Sequence, residues 1–318
     1  MEQRQDFGPH WEIAVRTIIS PLVKTLPENQ DNYLLIDTRG LGRCLVDHKD
    51  SYHQVSDWPQ GHIRVALMDG MGGHDNGRQV AEATAQGLLE IPATEDVDTL
   101  SRNLEALHER LQTRFQDAQR SPGSTLTLIE IPPNAQPLLF HVGDSRLYEI
   151  DQQQARCLTV DHVPSLHAAL AGNLSAEQWH EQVHKYGGNT ISQAFVMGND
   201  LNPDTHAQDK LYAITEDRLP DYLQGLSDRR SLSLEQGKTY LIGSDGLWAR
   251  NDPQAFIKRW PEMFKDQNAP LQRLLDDLFF ELIILYESDP EPDYKKDPYA
   301  RREHLDNCTA IALRRKTG

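Results

Sequence analysis

Residues 63–74 read Ile-Arg-Val-Ala-Leu-Met-Asp-Gly-Met-Gly-Gly-His. The first six form a short, largely apolar run with the length and composition of a buried strand. The run stops at Asp69, and Gly70 follows it. A carboxylate there is held on a rigid element but faces solvent, and the neighbouring glycine lets backbone or ligand approach closely. Taken alone, an Asp-Gly pair is most simply a turn. The arrangement recurs, however. Asp31 precedes the strand-like run Tyr33–Asp37. Asp144 separates Pro137–Val142 from Arg146–Ile150. Asp245 follows Lys238–Gly243, and Asp306 precedes Cys308–Leu313. All five acids stand at the ends of expected strands. Oxygen ligands of this kind suit Mg²⁺ or Mn²⁺ and disfavour zinc. Carboxylates gathered without a cation would repel each other.

Working outward, Val97, Leu100, Leu104, Leu107, Leu111, Phe115 and Ala118 recur at three- and four-residue steps. They predict a helix with one apolar stripe. Ser124–Ile131 predicts a further strand. The stretch from Pro164 to Arg230 is polar and irregular, and predicts an insertion with short helices such as Ser175–Lys185. Helices are expected at Pro253–Phe264 and Pro270–Tyr286, and an exposed loop at Ser288–Arg302. Strands, then helices, then strands, with helices again late, predict an α+β layered domain; a doubly wound parallel sheet would need steadier alternation.

The 318 residues include 48 Asp and Glu against 32 Lys and Arg, a net charge of −16. This balance argues against a general nucleic-acid binder and against docking on an anionic membrane surface. No apolar run approaches the ~18 residues of a membrane span. The N-terminus lacks a basic-then-apolar leader pattern. Cys44, Cys157 and Cys308 are few and far apart, which fits a reducing compartment and leads us to expect a cytoplasmic protein.

The ordered set Asn29-Gln30-Asp31, Asp69-Gly70-Met71-Gly72-Gly73-His74, Gly123-Ser124-Thr125, Gly143-Asp144-Ser145-Arg146, Thr159-Val160-Asp161-His162, Ser244-Asp245-Gly246-Leu247-Trp248 and Asp306-Asn307 resembles the metal-dependent protein phosphatases (type 2C, PPM) in their bacterial form. Each motif is weak alone, but all stand in family order across about residues 29–313. The resemblance implies a four-layer α-β-β-α sandwich with two central antiparallel sheets. It also implies one phosphatase domain over residues 1–318, with residues 1–20 as an extension and 164–230 as a flap.

The same resemblance implies hydrolysis of phosphoserine and phosphothreonine by a hydroxide held between two Mn²⁺ or Mg²⁺ ions, with no phosphoenzyme. Asp69 would bridge both ions. The Gly70 carbonyl and Asp31 would complete one side, and Asp245 and Asp306 the other. Asp144, with Asp245, would serve a third ion. Phosphorylated proteins and a cognate Ser/Thr kinase would be the partners. The chain departs from the pattern at Leu26, where bacterial members carry a phosphate-binding Arg, and Lys24 is the nearby candidate for that contact. Met71 replaces the His of animal members, so no general acid carries over there, and His74 is read as stabilising its loop. Asp161 and His162 are expected to hold a loop, and Arg146 to anchor its turn. His108, His180 and His184 are expected on helix surfaces. The alternative is a pseudophosphatase that keeps the fold and binds a partner; loss of metal ligands would mark it, and every expected Asp is present.

Overall fold

The computed structural model describes residues 4–19, 28–71, 76–115, 122–185, 190–197, 211–248, 253–288 and 307–316. In chain order, β1 (Trp11–Ile18), β2 (Asn32–Ile36), β3 (Leu41–Val46), β4 (Lys49–Gln54), β5 (Ile63–Met68) and β6 (Gly70–Met71) lead into helices α1 (Asn76–Glu90) and α2 (Val97–Phe115). Next come β7 (Gly123–Ser124), β8 (Leu126–Ile131), β9 (Leu138–Val142), β10 (Arg146–Ile150) and β11 (Ala155–Cys157). Then follow α3 (Pro164–Leu170), α4 (Ala176–Trp179), β12 (Val196–Met197), β13 (Arg229–Ser231) and β14 (Thr239–Gly243). Helices α5 (Pro253–Ile257), α6 (Trp260–Met263) and α7 (Leu271–Ser288) precede the last strand, β15 (Cys308–Arg315).

Alternation along the strands builds the layers, because successive side chains leave a strand on opposite faces. Tyr33, Leu35, Val65, Leu67, Ile129 and Leu139 meet Val15, Leu147, Tyr240, Ile242 and Ile311 in a core between two sheets. Leu34, Ile36, Ala66, Met68, Leu128 and Phe140 point the other way, against α1 and α2. Tyr148, Leu241, Ala310 and Ala312 pack beneath α5, α6 and α7. Strands β2, β5 and β8 are buried along their whole length because both faces are covered. The result is the expected α-β-β-α sandwich. One sheet has the order β1-β15-β14-β10-β11 and the other β13-β9-β8-β5-β2-β3-β4, with antiparallel neighbours throughout.

The structure differs from the sequence reading at several points. Residues 11–18, set within an extension without an assigned element, form β1 and pair with β15 over the strand's full length. The expected helix over 253–264 is two short ones; Pro261 stands in the first turn of α6, where its missing N–H costs nothing. His108 is buried, with Nδ1 2.6 Å from the Phe195 carbonyl, and is not on an exposed helix face. One turn on, Gln112 brackets Met197 from both sides. A second face of α2 is thus covered by β12, which the apolar stripe alone did not foretell.

The segment 164–230 packs a small core against the end of the TVDH motif, in which Val160, Leu166, Trp179, Val183, Ile214 and Leu223 are buried together. Ser175 and Gln178 form a capping box that starts α4, and a single π-turn carries the chain on to Lys185. His180 is exposed as expected, whereas His184 is half-buried. Burial, aided by the Arg146 charge, pushes the His184 imidazole well below its ordinary range. The expected loop Ser288–Arg302 falls almost wholly outside the described residues. Among the described residues no helix is long and apolar enough to cross a membrane.

At the other end of β5, away from Asp69, fully buried Arg64 donates to Glu130 and to the Leu88 and Ile91 carbonyls at the C-terminal end of α1. His62 approaches the same carboxylate at 2.8 Å. Arg64→Met leaves Glu130 buried without its guanidinium, so urea unfolding should show a loss of ~3–5 kcal/mol. A loss below ~1 kcal/mol would mean that His62 alone satisfies the carboxylate.

Candidate metal centre

The β2–β5 ladder ends at the pair Asn32–Met68. Asp31 and Asp69 are the next residues outward, so antiparallel register sets them side by side at one end of the sheet. Asp31 is buried and Asp69 half-buried. The Asp31 N–H donates to Asn29 Oδ1 at 3.1 Å, closing a tight turn over the NQD segment. The Asp69 N–H donates to Thr125 Oγ1 at 3.0 Å, and the Thr125 N–H returns to the Asp69 carbonyl at 2.9 Å. Only glycine fits at position 70: a Cβ there would lie 2.4 Å from the Gln30 carbonyl oxygen and 2.6 Å from that of Gly77. The backbone of Gly70 is thereby pressed between the NQD segment and the start of α1.

The second sheet supplies Asp245. Strand β14 pairs with β15 up to Gly243–Ala310, and Ser244 continues the ladder by donating its N–H to the Thr309 carbonyl at 2.9 Å. The Thr309 N–H donates to Ser244 Oγ at 2.9 Å, and that hydroxyl donates to Asp31 Oδ2 at 2.7 Å. One hydroxyl thus joins the ends of the two sheets. A parallel stitch runs from Asn29 Nδ2 to Thr17 Oγ1 at 2.6 Å, and from Thr17 to the Thr309 hydroxyl at 2.7 Å. Half-buried Asp245 opens a short 3₁₀ turn. A Cβ on Gly246 would lie 2.2 Å from the Asn307 carbonyl oxygen, so the SDG and DN motifs touch through their backbones.

Asp144 is buried in the turn between β9 and β10. Gly143 has φ +115°, and a Cβ there would strike Thr125 Cγ2 at 2.5 Å. Ser145 Oγ lies 2.9 Å from Thr125 Oγ1, so Thr125 holds both the Asp69 backbone and the Asp144 turn. The His162 N–H donates to the Gly143 carbonyl at 2.8 Å. Buried Arg146 makes three bonds to Asp161 at 2.7–3.0 Å, donates to the Val183 carbonyl at 2.8 Å, and stacks 4.8 Å from the Trp248 ring centroid. Burial opposes its charge, but Asp161 outweighs it and holds the guanidinium well above its ordinary value. Arg146 is therefore an internal brace joining three motifs and the π-turn.

Asp306, Lys24, Leu26 and His74 lie outside the described residues. Among the described residues, no three His, Cys, Asp or Glu side chains group closely enough to hold a metal by themselves. The donors brought to this end are all oxygens, namely the carboxylates of Asp31, Asp69 and Asp245 and the packed backbone of Gly70. That set fits a hard divalent cation. Ser244, Thr125, Thr17 and Asn29 hold the arrangement together. Ser244, Thr125 and Asn29 stood within the motifs, but nothing in their spacing revealed the bonds they make; Thr17 stood outside them.

No family model matches the chain. Over 152 residues it is 30% identical to protein phosphatase PhpP of Streptococcus pneumoniae; the match covers 45% of this chain and 60% of that protein. The serine/threonine phosphatase of Streptococcus agalactiae superposes with a TM-score of 0.59 at 19% identity, over 96% of this chain and 99% of that one. The catalytic domain of the serine/threonine phosphatase PstP, in complex with two manganese ions, superposes with a TM-score of 0.55 at 17% identity, over 97% and 99% of the two chains. These likenesses define a class: the fold is that of the PPM phosphatases. Beyond the fold, the stretch shared with PhpP spans about three fifths of that protein's length.

Ser244→Ala removes a hydroxyl that serves a buried carboxylate and joins two sheets. Denaturant unfolding should show a loss of about 1.5–3 kcal/mol, the range for hydrogen bonds to charged groups. An unchanged midpoint would mean that the Asn29–Thr17–Thr309 stitch suffices.

Proposed function

We propose that this protein is a divalent-metal-dependent protein serine/threonine phosphatase. The observation that carries the reading is the fastening of the Asp31–Asp69–Gly70 end of one sheet to the Asp245 end of the other, through the Ser244 hydroxyl. Two acidic sheet ends held together are costly unless cations share the space. In this reading Asp69, Asp31 and the Gly70 carbonyl hold one Mn²⁺ or Mg²⁺, and Asp69, Asp245 and Asp306 the second. Asp144 with Asp245 serves a third. When bound, such ions supply Lewis acidity toward a phosphoryl oxygen and acidify water.

The chain's own residues contribute position. Thr125 and Ser244 orient the carboxylates, Gly70 lets its backbone reach the site, and Lys24 meets the substrate phosphate. Phosphoserine and phosphothreonine proteins are the substrates, and the opposing enzyme is a Ser/Thr kinase. The relatives support this reading, being a protein phosphatase and a manganese-bound phosphatase domain.

The test is hydrolysis of a phosphothreonine peptide with and without Mn²⁺, alongside calorimetric Mn²⁺ binding. Turnover should require Mn²⁺. Asp69→Asn and Asp245→Asn should each lower it by roughly 100-fold or more, since losing even a group that orients a ligand costs ~10–100-fold. Wild-type turnover that persists in excess chelator would refute the metal-dependent reading. Tight Mn²⁺ binding without turnover on any phosphoprotein would point to the pseudophosphatase.

A further inference from the structure

A cleft of about 970 Å³ opens between the two sheets at the edge formed by β1 and the β3–β4 hairpin. It lies away from the carboxylates. Ile18 pairs with Cys308 beside the DN motif, whereas Trp11 pairs with Arg315, so the cleft's Trp11–Val15 floor runs toward the opposite end of β1. Trp11, Val15 and Leu35 are buried core residues that also line the cleft. Half-buried Ile13 and exposed Tyr52 extend the apolar surface.

Charge around this floor is opposite to that of the chain as a whole. Arg4, Arg39, Arg43 and Lys316 line the cleft in a protein of net charge −16. Both acids that line it are engaged, Glu12 by Arg314 at 2.7 Å and Asp6 by the Gly8 N–H at 2.9 Å. Of the cations, Arg43 pairs with Asp50 at 2.6 Å, while Arg39 reaches Asp37 only at 3.4 Å and Lys316 donates to the neutral Gly8 carbonyl. A second cleft of about 290 Å³ shares Val15 and Arg43 with the first and adds Arg16 and Asp50, the latter paired with Arg43.

The backbone adds a third observation. Among the described residues β1 is an edge strand. The His10 carbonyl accepts the Lys316 N–H at 3.0 Å, so even-numbered residues bond to β15 and odd-numbered ones turn their backbone groups to the free edge. Those are Trp11, Ile13 and Val15, whose side chains also floor the cleft. The Val15 carbonyl is taken by the exposed Gln272 amide at 3.3 Å, a weak and replaceable contact. Open strand edges are usually blunted by charge or cover. Here an apolar, cation-rimmed groove runs beside one.

We propose that this edge docks an extended acidic peptide segment of a partner protein, which adds a strand to β1. Its backbone pairs with Trp11 and Ile13, alternate apolar side chains enter the cleft, and its carboxylates meet Arg39, Arg43 and Lys316. Strand addition of this kind draws affinity from main-chain bonds and specificity from alternate side chains. The proposal does not depend on the catalytic reading.

β1 has 8 residues, which sets the probe length. A fluorescein-labelled Glu-Ile-Glu-Val-Glu-Val-Glu-Tyr should bind the full chain, as read by anisotropy, and weaken as salt rises. Arg39→Glu with Lys316→Glu, both exposed positions, should weaken it about tenfold or more, the scale of losing rim charge complementarity. The double variant should hydrolyse an aryl phosphate, or fail to, as the wild type does. N-methylating alternate amides of the probe should abolish binding in one of the two possible phases and spare the other. The proposal is overturned if a Lys-for-Glu probe binds equally, if both methylated probes bind like the parent, or if the double variant binds unchanged. It is also overturned if sedimentation shows a dimer that the double variant dissolves, because a second copy would then occupy the edge.

Discussion

The Ser244 hydroxyl, donating to Asp31 and accepting from Thr309, is the contact on which the arrangement of the candidate site turns. A β-sandwich holds its sheets together by apolar packing, which is strong but not directional. Packing alone would tolerate small slides of one sheet over the other. Carboxylates from both sheets can share a cation only if their strand ends stay aligned. A hydrogen bond to a charged acceptor, reinforced by Thr17 and Asn29 at the same end, supplies the direction that packing lacks.

Close backbone approach is the second constraint. Gly70 and Gly246 sit where a methyl group would overlap a neighbouring carbonyl, and Gly143 where it would overlap Thr125. Each joins two motifs that are far apart in sequence: DG with NQ, SDG with DN, and GD with GST. The glycines beside the acids are therefore packing requirements as much as turn formers. Arg146 performs a similar task farther from the metal end. It ties the Asp144 turn to Asp161, to the π-turn through Val183, and to Trp248.

Much of the fold was legible beforehand because both sheets are buried on two faces. Such strands read as short apolar runs, and β5 and β10 fall within the bounds expected from that pattern alone. The amphipathic stripe located α2 for the same reason. Edges were less visible. β1 has its apolar residues interrupted by Glu12, Arg16 and Thr17, and β4 is largely exposed along its length, so neither carries a continuous apolar signal. His108 read as a surface residue because polarity does not reveal that a distant strand will cover it.

The amino-acid order by itself determined the buried central strands and the amphipathic helix α2, the placing of acids at strand ends, and the family resemblance those motifs carry. These depend on local composition and on periodicity over a few residues. Only the tertiary structure decided that Asp31 stands beside Asp69, that Ser244 joins their sheet to Asp245's, that His108 is interior, and that β1 leaves a cationic groove at its edge. Each of those depends on register and packing between segments tens to hundreds of residues apart, and no local pattern encodes such distances.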